Sequence, residues 1–306
     1  MHWQRKALIQ RACSRLPAGN AIYFMLQHQF GSLRRPPDPT RLLRECATLV
    51  SELRAAGHEV AGARVMEVGT GRRIDIPLGF YLAGAASVIT VDLNEYLRPE
   101  LVMASIRAMK EHSRDILGVF DSTSPREEVE ARFEKLIACK SLTDVFSATN
   151  ISYLAPADAQ RIGLASDSVD IQTSYTVFEH IPRDILVGIL KEASRLLGKR
   201  GVALHHVDLS DHYAHDDSSI SYINFLKFSQ RKWNRLAGNR FAYHNRMRAD
   251  DYRSVYSEAG HQILGWKEFQ DQRSLDLLKN GFPLDRAYQG IDPGELATCV
   301  IRILSR

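Results

Sequence analysis

Short apolar runs alternate along the chain with longer segments in which apolar residues recur every three or four positions. The runs predict seven strands, over residues 64–68, 87–91, 150–153, 169–173, 202–207, 261–269 and 296–304. The periodic segments predict helices, among them 75–85, 124–138, 182–197 and 250–259. Ser124 is expected to cap the helix that follows it, and Gly260 is expected to end the last of these helices. Strands and helices that alternate in this order favour an α/β protein with a doubly wound, mostly parallel sheet.

The first predicted strand runs directly into a glycine turn, Glu67-Val-Gly-Thr-Gly71, and the second ends on Asp92. Gly69 and Gly71 permit a sharp turn and a close approach of the backbone to a ligand, because a side chain there would collide with it. The Asp92 carboxylate can accept hydrogen bonds from both hydroxyls of a ribose. This order of strand, turn, helix, strand and carboxylate predicts a nucleoside site in an open α/β sheet.

Four motifs extend this pattern: Glu67-Val-Gly-Thr-Gly71 with Asp92, then Asp158-Ala159, Ser168-Val-Asp170 and Val177-Phe-Glu-His180. With them, the chain resembles the class I S-adenosylmethionine-dependent methyltransferases, in particular the type 11 subgroup, over about residues 60–207. The resemblance implies a seven-stranded Rossmann-like fold whose seventh strand lies antiparallel between the fifth and the sixth. It also implies S-adenosyl-L-methionine as the cofactor.

The resemblance assigns roles to the residues of the site. The methionine half of the cofactor would contact Glu67, Gly69, Thr70 and Gly71, and the ribose would contact Asp92 and Leu93. The adenine would contact Asp158 and Ala159, and the sulfonium would contact Ser174 and Tyr175. The family usually has a third glycine at the position of Arg73. An arginine there would either meet the methionine carboxylate or narrow the pocket.

A hydroxyl acceptor needs a base to remove its proton, and the base should lie beyond the carboxyl ends of the strands. One candidate is His180, for which capping or orienting the next helix is an equal alternative. The run from His205 to Asp217 holds four histidines and four aspartates. Asp208 and His212 lead in that run and His206 follows, since strand alternation points His205 and His206 to opposite faces. Solvated loop histidines are the alternative. A metal site from these His and Asp side chains is chemically reasonable, but without metal-ligand spacing no metal is predicted.

Residues 1–60 are predicted to form an N-terminal helical extension or lid, and residues 61–306 a cofactor-binding domain with insertions near 95–148 and 208–249. The stretch 21–26 could cover the domain's own core, close over the pocket or contact a second copy in a homodimer. Basic residues beside Leu8 and Ile9 leave peripheral membrane contact as a further alternative. Aromatic and amide residues over 220–248 suit acceptor recognition or a lid with its own core.

Composition narrows the function classes. The chain has 306 residues, 44% of them hydrophobic, with a net charge of +4, which predicts a globular protein without a nucleic-acid partner. Its four cysteines are scattered, so neither a disulfide framework nor a cysteine zinc site is expected. The sequence shows no spanning apolar run and no secretory signal, and the expected location is cytoplasmic.

The leading hypothesis is transfer of a methyl group to a small-molecule acceptor, most readily at an oxygen of a sugar, a glycolipid precursor or a secondary metabolite. A nicotinamide-dependent dehydrogenase shares the glycine turn and the acidic residue about twenty positions later. Its third glycine is absent here, and it gives no reason for Asp158-Ala159. A catalytically silent binding or scaffold protein is the third hypothesis, because Arg73 replaces the glycine.

Overall fold

The computed structural model describes residues 2–17, 19, 22–25, 38–239, 241 and 243–306. Both ends of the stretch 21–26 lie outside them, as does Arg34-Arg-Pro-Pro37, where the helical pattern of the sequence breaks. The strands are β1 (Arg64–Val68), β2 (Ser87–Val91), β3 (Ile151–Leu154), β4 (Val169–Tyr175), β5 (Leu197–Asp208), β6 (Ile263–Gln270) and β7 (Thr298–Ser305). The α-helices are α1 (Trp3–Ser14), α2 (Pro39–Ala55), α3 (Asp75–Leu82), α4 (Pro99–Glu111), α5 (Ser113–Val119), α6 (Arg126–Ile137), α7 (Leu142–Thr149), α8 (Arg183–Leu196), α9 (Gln230–Ala237), α10 (Ala249–Ala259), α11 (Gln272–Lys279) and α12 (Pro293–Ala297).

The seven strands form one sheet in the order β3-β2-β1-β4-β5-β7-β6. Strands β1 to β5 run parallel, and β7 pairs antiparallel with both β5 and β6. This confirms the doubly wound α/β fold and the seventh strand between the fifth and the sixth. The strand order reverses between β1 and β4, which places a crevice at their carboxyl ends.

The predicted element bounds agree with the structure to within a few residues, except that β5 begins at Leu197. One predicted cap is wrong. Ser124 was expected to cap helix α6, but its hydroxyl donates to the Ala83 carbonyl at 3.2 Å, and no side chain caps that helix. Helix α10 ends as predicted on Gly260, whose φ of 83° is the left-handed conformation of a helix terminus.

Helices cover both faces of the sheet, so the core has two halves. One half packs α2, α3 and the excursion between β2 and β3, with Leu43, Phe80 and Phe133 fully buried. The other half packs α8 and α10, with Leu190 and Tyr252 at its centre. Rigid packing on both faces fixes the strand ends, and those ends carry the candidate site.

A third apolar cluster joins the N-terminus to the segment that follows β5. Trp3 lies 5.6 Å from Tyr213 and 6.1 Å from Trp233 between ring centroids, and its backbone N–H donates to Asp217. Helix α1 therefore covers this segment, although Leu8 and Ile9 on its outer face remain exposed. Within the described ranges, no helix combines the length and apolar character needed to cross a bilayer.

Candidate functional site

A cleft of about 1720 Å³ opens at the carboxyl ends of β1, β2, β4 and β5. It has two parts. We call the first the glycine arm; it comprises residues 67–73, 92–93 and 158–159. We call the second the histidine arm; it comprises Glu179, His180, Asp208, His212 and His215. Glu179 closes its floor, and the other four line the cleft.

The turn requires a glycine at each of its two positions for a different physical reason. Gly69 has a φ of 95°, and a Cβ there would lie 2.3 Å from Cγ2 of Val177. Gly71 has a φ of 65°, but no atom of the described residues lies within 4 Å of a Cβ placed there, so the space beside it is open. The first glycine is therefore needed for close packing of the turn on the segment after β4, while only the second leaves room for a ligand.

The Asp92 carboxylate holds the turn and its own loop together. Its Oδ2 accepts the Gly71 N–H at 2.9 Å, and its Oδ1 accepts the Asn94 N–H at 3.0 Å. Burial raises the pKa of Asp92, and these backbone hydrogen bonds oppose that shift. Each carboxylate oxygen keeps a second lone pair for a ligand hydroxyl. Leu93 beside it is exposed at the cleft edge.

Asp158 and Ala159 stand at the far end of the glycine arm, after β3. Asp158 is exposed, and its Oδ1 accepts the backbone N–H of Gln160 at 2.9 Å. Ala159 is buried and borders the cleft. The structure thus brings both predicted adenine contacts to the same cleft as Asp92.

A buried chain of polar groups lies under the turn. Thr70 and Thr90 share a hydrogen bond of 2.7 Å between hydroxyls, and the Thr90 hydroxyl donates to Glu67 at 2.5 Å. Burial raises the pKa of Glu67 to about 8, and the charges of Asp92 and Asp75 add to the shift while the Thr90 hydrogen bond opposes it. Glu67 is therefore mostly protonated at pH 7, and a cationic ligand would stabilise its ionised form.

Arg73 does not fill the turn. Its Nε lies 3.4 Å from Oδ2 of Asp75, a carboxylate that is only 2% exposed. Burial raises the pKa of Asp75, and Arg73 opposes that shift. The arginine that replaces the third glycine is thus drawn toward the first turn of α3, although it still borders the cleft.

Ser174 and Tyr175 separate at the end of β4 because neighbouring strand residues face opposite sides. Ser174 is fully buried and hydrogen bonds to Nδ1 of His205 at 2.9 Å, away from the cleft. The Ser174 side chain therefore does not line the cleft, and its position gives no support to the predicted contact with the cofactor. Tyr175 lines the cleft and packs against His206, with the ring centroids 4.5 Å apart. Burial and the Glu45 charge raise the pKa of Tyr175 to about 12.

His205 and His206 point to opposite faces, which confirms the alternation argument. His206 lines the cleft, and its Nδ1 accepts a hydrogen bond of 3.1 Å from Nε of Arg302. A guanidinium only donates, so neutral His206 carries its proton on Nε2. Burial, with the Arg302 charge, lowers the pKa of His206 to about 4. His206 is therefore placed to donate a hydrogen bond rather than to accept a proton.

Asp208 stands between two histidines of the loop after β5. Its Oδ2 lies 3.5 Å from Nε2 of His212 and 3.5 Å from Nε2 of His215, and its Oδ1 accepts the Ser210 N–H at 2.8 Å. Burial alone would raise the pKa of Asp208, but the facing His212 and the hydrogen bonds from Ser210 hold it below the usual range. Asp208 is thus a carboxylate that stays ionised.

Glu179 and His180 approach the same loop from the other side. His180 Nδ1 lies 2.7 Å from the Tyr243 carbonyl oxygen; a carbonyl only accepts, so Nδ1 carries the proton and Nε2 has the free lone pair. The His180 side chain is exposed at the open cleft, but the protein atoms around it still desolvate the ring, and this desolvation with the neighbouring His212 lowers the pKa of His180 to about 4. Glu179 is fully buried, and its Oε1 lies 3.9 Å from Nε2 of His212.

The aromatic segment 220–248 divides between two roles. Phe225 and Trp233 belong to the apolar cluster with Trp3, and the buried Arg246 binds the Phe225 carbonyl at 2.8 Å. Tyr243, in contrast, borders the cleft. Most of the segment therefore builds its own core, and only its end reaches the cleft.

Sequence reasoning missed four residues in and around the site: Thr90, Glu179, His215 and His244. Of these, only His215 lines the cleft, and the other three are buried. Thr90 could have been found from alternation along β2, which turns it away from Val91. Glu179 stood in the quoted Val177-Phe-Glu-His180 motif, where its position on a short 3₁₀ turn gave no period from which to orient it.

No protein-family model and no curated protein sequence matches the chain. Solved structures do match. The magnesium protoporphyrin IX methyltransferase of Synechocystis PCC 6803 with bound SAH is 12% identical, over 86% of this chain and 81% of that chain, with a TM-score of 0.44. An S-adenosylmethionine dependent methyltransferase of Mesorhizobium loti is 16% identical, over 84% and 96%, with a TM-score of 0.42. A SAM-dependent methyltransferase of Leishmania major is 12% identical, over 99% and 83%, with a TM-score of 0.44.

Proposed function

We propose that the protein transfers the methyl group of S-adenosyl-L-methionine to an oxygen of a small polar acceptor. The observation that carries this proposal is the join between the turn and Asp92 at the point where the strand order reverses. Gly71 donates to Asp92 at 2.9 Å, and the space beside Gly71 is open. A carboxylate that can bind the ribose hydroxyls, next to an open turn, is the arrangement that holds a nucleoside in such a crevice.

The remaining groups of the glycine arm suit the charges of this cofactor. Glu67 would hold the methionine ammonium from beneath the turn, and Arg73, bound to Asp75, leaves the methionine half free. Asp158 and the Ala159 amide would bracket the adenine. A scaffold protein is disfavoured, because the residue that motivated it lies to one side of the turn.

The histidine arm would receive the acceptor. In the reaction, the acceptor oxygen forms a bond to the methyl carbon while the carbon–sulfur bond breaks, and the acceptor proton leaves. The products are S-adenosylhomocysteine, the methyl ether and a proton. The Asp208–His212 pair is the proposed proton acceptor, since Asp208 stays ionised and lies 3.5 Å from the imidazole. His180 Nε2, with its free lone pair, is the second candidate.

The histidine arm is polar, which favours a hydroxylated acceptor such as a sugar, a glycolipid precursor or a secondary metabolite. Arg41, Arg302 and Tyr243 border it together with the histidines. Such a mixture of cations, rings and hydrogen-bonding groups suits a hydroxylated ring more than an apolar one.

Calorimetric titration tests the cofactor. We expect S-adenosylmethionine and S-adenosylhomocysteine to bind and NADH not to bind. Asp92→Ala should lower that affinity at least about a hundredfold, because a charged hydrogen-bond acceptor and an organiser of the turn are both lost. Asp276→Ala is the matched control, since Asp276 is an exposed aspartate on α11 outside the cleft lining. Selective binding of NADH, or an unchanged affinity in Asp92→Ala, would contradict the proposal.

A further inference from the structure

The floor of the histidine arm holds polar atoms that no described residue satisfies. Both carboxylate oxygens of Glu179 and Nε2 of His212 are buried without a hydrogen bond of good geometry to any described residue. Glu179 is 0% exposed. Burial is costly for a carboxylate, and the backbone N–H groups of Glu179 and Asp208 offset only part of the lost hydration. Such groups in a cleft usually await a ligand or an ion.

These atoms converge on one place. One ligand atom each from Glu179, His180 and His212 lies within 4.8 Å of the other two. Nε2 of His212 stands between two carboxylates, 3.9 Å from Oε1 of Glu179 and 3.5 Å from Oδ2 of Asp208. These separations are too long for good hydrogen bonds but suit groups that face a shared cation.

The tautomer of His180 points the same way. Its Nδ1–H is fixed by the Tyr243 carbonyl at 2.7 Å, which leaves Nε2 as the free lone pair. Histidines that bind metals commonly donate the other ring N–H to a backbone carbonyl in this way. His244 stands beside the group, 5.0 Å from His212 between ring centroids, and its Nε2 is also buried without a partner.

We propose that Glu179, His180 and His212 form a binding site for a divalent transition metal ion at the floor of the acceptor cleft. Two imidazoles and one carboxylate suit Zn²⁺ and related first-row ions and leave coordination positions open. Ligand atoms around one tetrahedral zinc lie about 3.3 Å apart, given zinc–nitrogen distances of about 2.0–2.1 Å. Small side-chain rotations would bring the three groups to that spacing.

The ion would deepen the proposed methyl transfer, and this part of the inference rests on that proposal. An acceptor hydroxyl bound at an open position would lose its proton more readily, because a metal lowers the pKa of a bound hydroxyl. Asp208 would then take the proton from the acceptor, and His212 would be a ligand instead of the base. The bonds formed and broken in the transfer itself are unchanged.

Metal binding is measured on the full chain after removal of metals with a chelator. We expect one equivalent of Zn²⁺ or Co²⁺ to bind, with Mg²⁺ much weaker because it prefers oxygen ligands. X-ray absorption of the zinc protein should show nitrogen and oxygen ligands only. Absence of uptake by the folded protein, or a sulfur ligand, overturns the site.

Variants identify the ligands. Glu179→Gln and His212→Gln should each weaken Co²⁺ binding at least about tenfold, with folding checked by circular dichroism. His215→Gln is the matched control, because His215 lies in the same loop but its Nε2 is held by Ser210 at 2.9 Å. Co²⁺ affinity that is unchanged in Glu179→Gln, or lost equally in His215→Gln, contradicts the ligand set.

Titration of the chelated protein with S-adenosylhomocysteine separates the two proposals. Binding of S-adenosylhomocysteine without metal uptake refutes only the metal site. Metal uptake without S-adenosylhomocysteine binding retains the site but refutes the proposed function.

Discussion

The two arms of the cleft satisfy their polar groups in opposite ways. In the glycine arm, each oxygen of Asp92 accepts a backbone N–H, and Glu67 accepts the Thr90 hydroxyl. In the histidine arm, the carboxylate of Glu179 and Nε2 of His212 are buried and make no hydrogen bond of good geometry within the described part of the chain. The glycine arm is therefore organised before a ligand arrives, while the histidine arm needs something bound to complete it. Changes to the first should affect cofactor affinity, and changes to the second should affect turnover.

The largest expected effect is at the packing contact between Gly69 and Val177. Gly69→Ala places a Cβ 2.3 Å from Val177 and requires an alanine at a φ of 95°. We expect S-adenosylhomocysteine affinity to fall about a hundredfold to a thousandfold in calorimetry, since overpacking and left-handed strain together cost about 2–5 kcal/mol.

A rescue and a control define the cause of that loss. Gly69→Ala with Val177→Ala should recover part of the affinity, because the colliding methyl groups are gone. Gly71→Ala meets only the cost of its φ of 65°, since nothing lies within 4 Å of its Cβ. Equal losses at Gly69 and Gly71, with no rescue, would refute the packing explanation.

The next effect tests the histidine arm alone. Asp208→Asn should lower kcat about a hundredfold and leave S-adenosylhomocysteine affinity unchanged, because the carboxylate acts on His212 and the acceptor and lies outside the glycine arm. The measurement is steady-state turnover with an identified acceptor beside calorimetry. A variant that lost cofactor affinity and kept its kcat would show that the arms do not divide the work in this way.

The division also explains what could be predicted from the sequence. The fold and the glycine arm followed from local signals: apolar runs, a glycine turn within five residues and a carboxylate that ends the next strand. The left-handed glycines and the strand end fix the backbone there, so spacing along the chain translates directly into position. Even so, sequence alone did not show that Gly69 is required by Val177.

The histidine arm had no such local signal. Its members come from the turn after β4, the loop after β5 and a backbone carbonyl at Tyr243, and only the folded sheet brings these segments together. Asp208 and His212 were found because a four-residue spacing across a strand end suggests proximity. Glu179 was not weighed as a site residue, because nothing in its neighbourhood along the chain indicates that it is buried or lies beside His212.

The smallest expected effect is the pH dependence of cofactor binding through Glu67. Burial raises the pKa of this carboxyl to about 8, so it is mostly neutral at pH 7 in the free protein. A bound ammonium favours the ionised form, and S-adenosylhomocysteine affinity should therefore rise about tenfold from pH 7 to pH 9. Glu67→Gln removes this titration, and its calorimetric profile gives the contribution of the ligand's own amine.

The same group gives a stability signature of opposite sign. A carboxyl with a raised folded-state pKa lets the unfolded chain release its proton first, so the free energy of unfolding falls as pH rises from about 4.3 to about 8. Without cofactor, Glu67→Gln should therefore be more stable than the natural chain by a few kcal/mol above pH 8. Urea unfolding at pH 5 and pH 8 measures this difference in the free energy of unfolding between the variant and the natural chain. A difference that does not widen with pH would show that groups other than Glu67 destabilise the folded site.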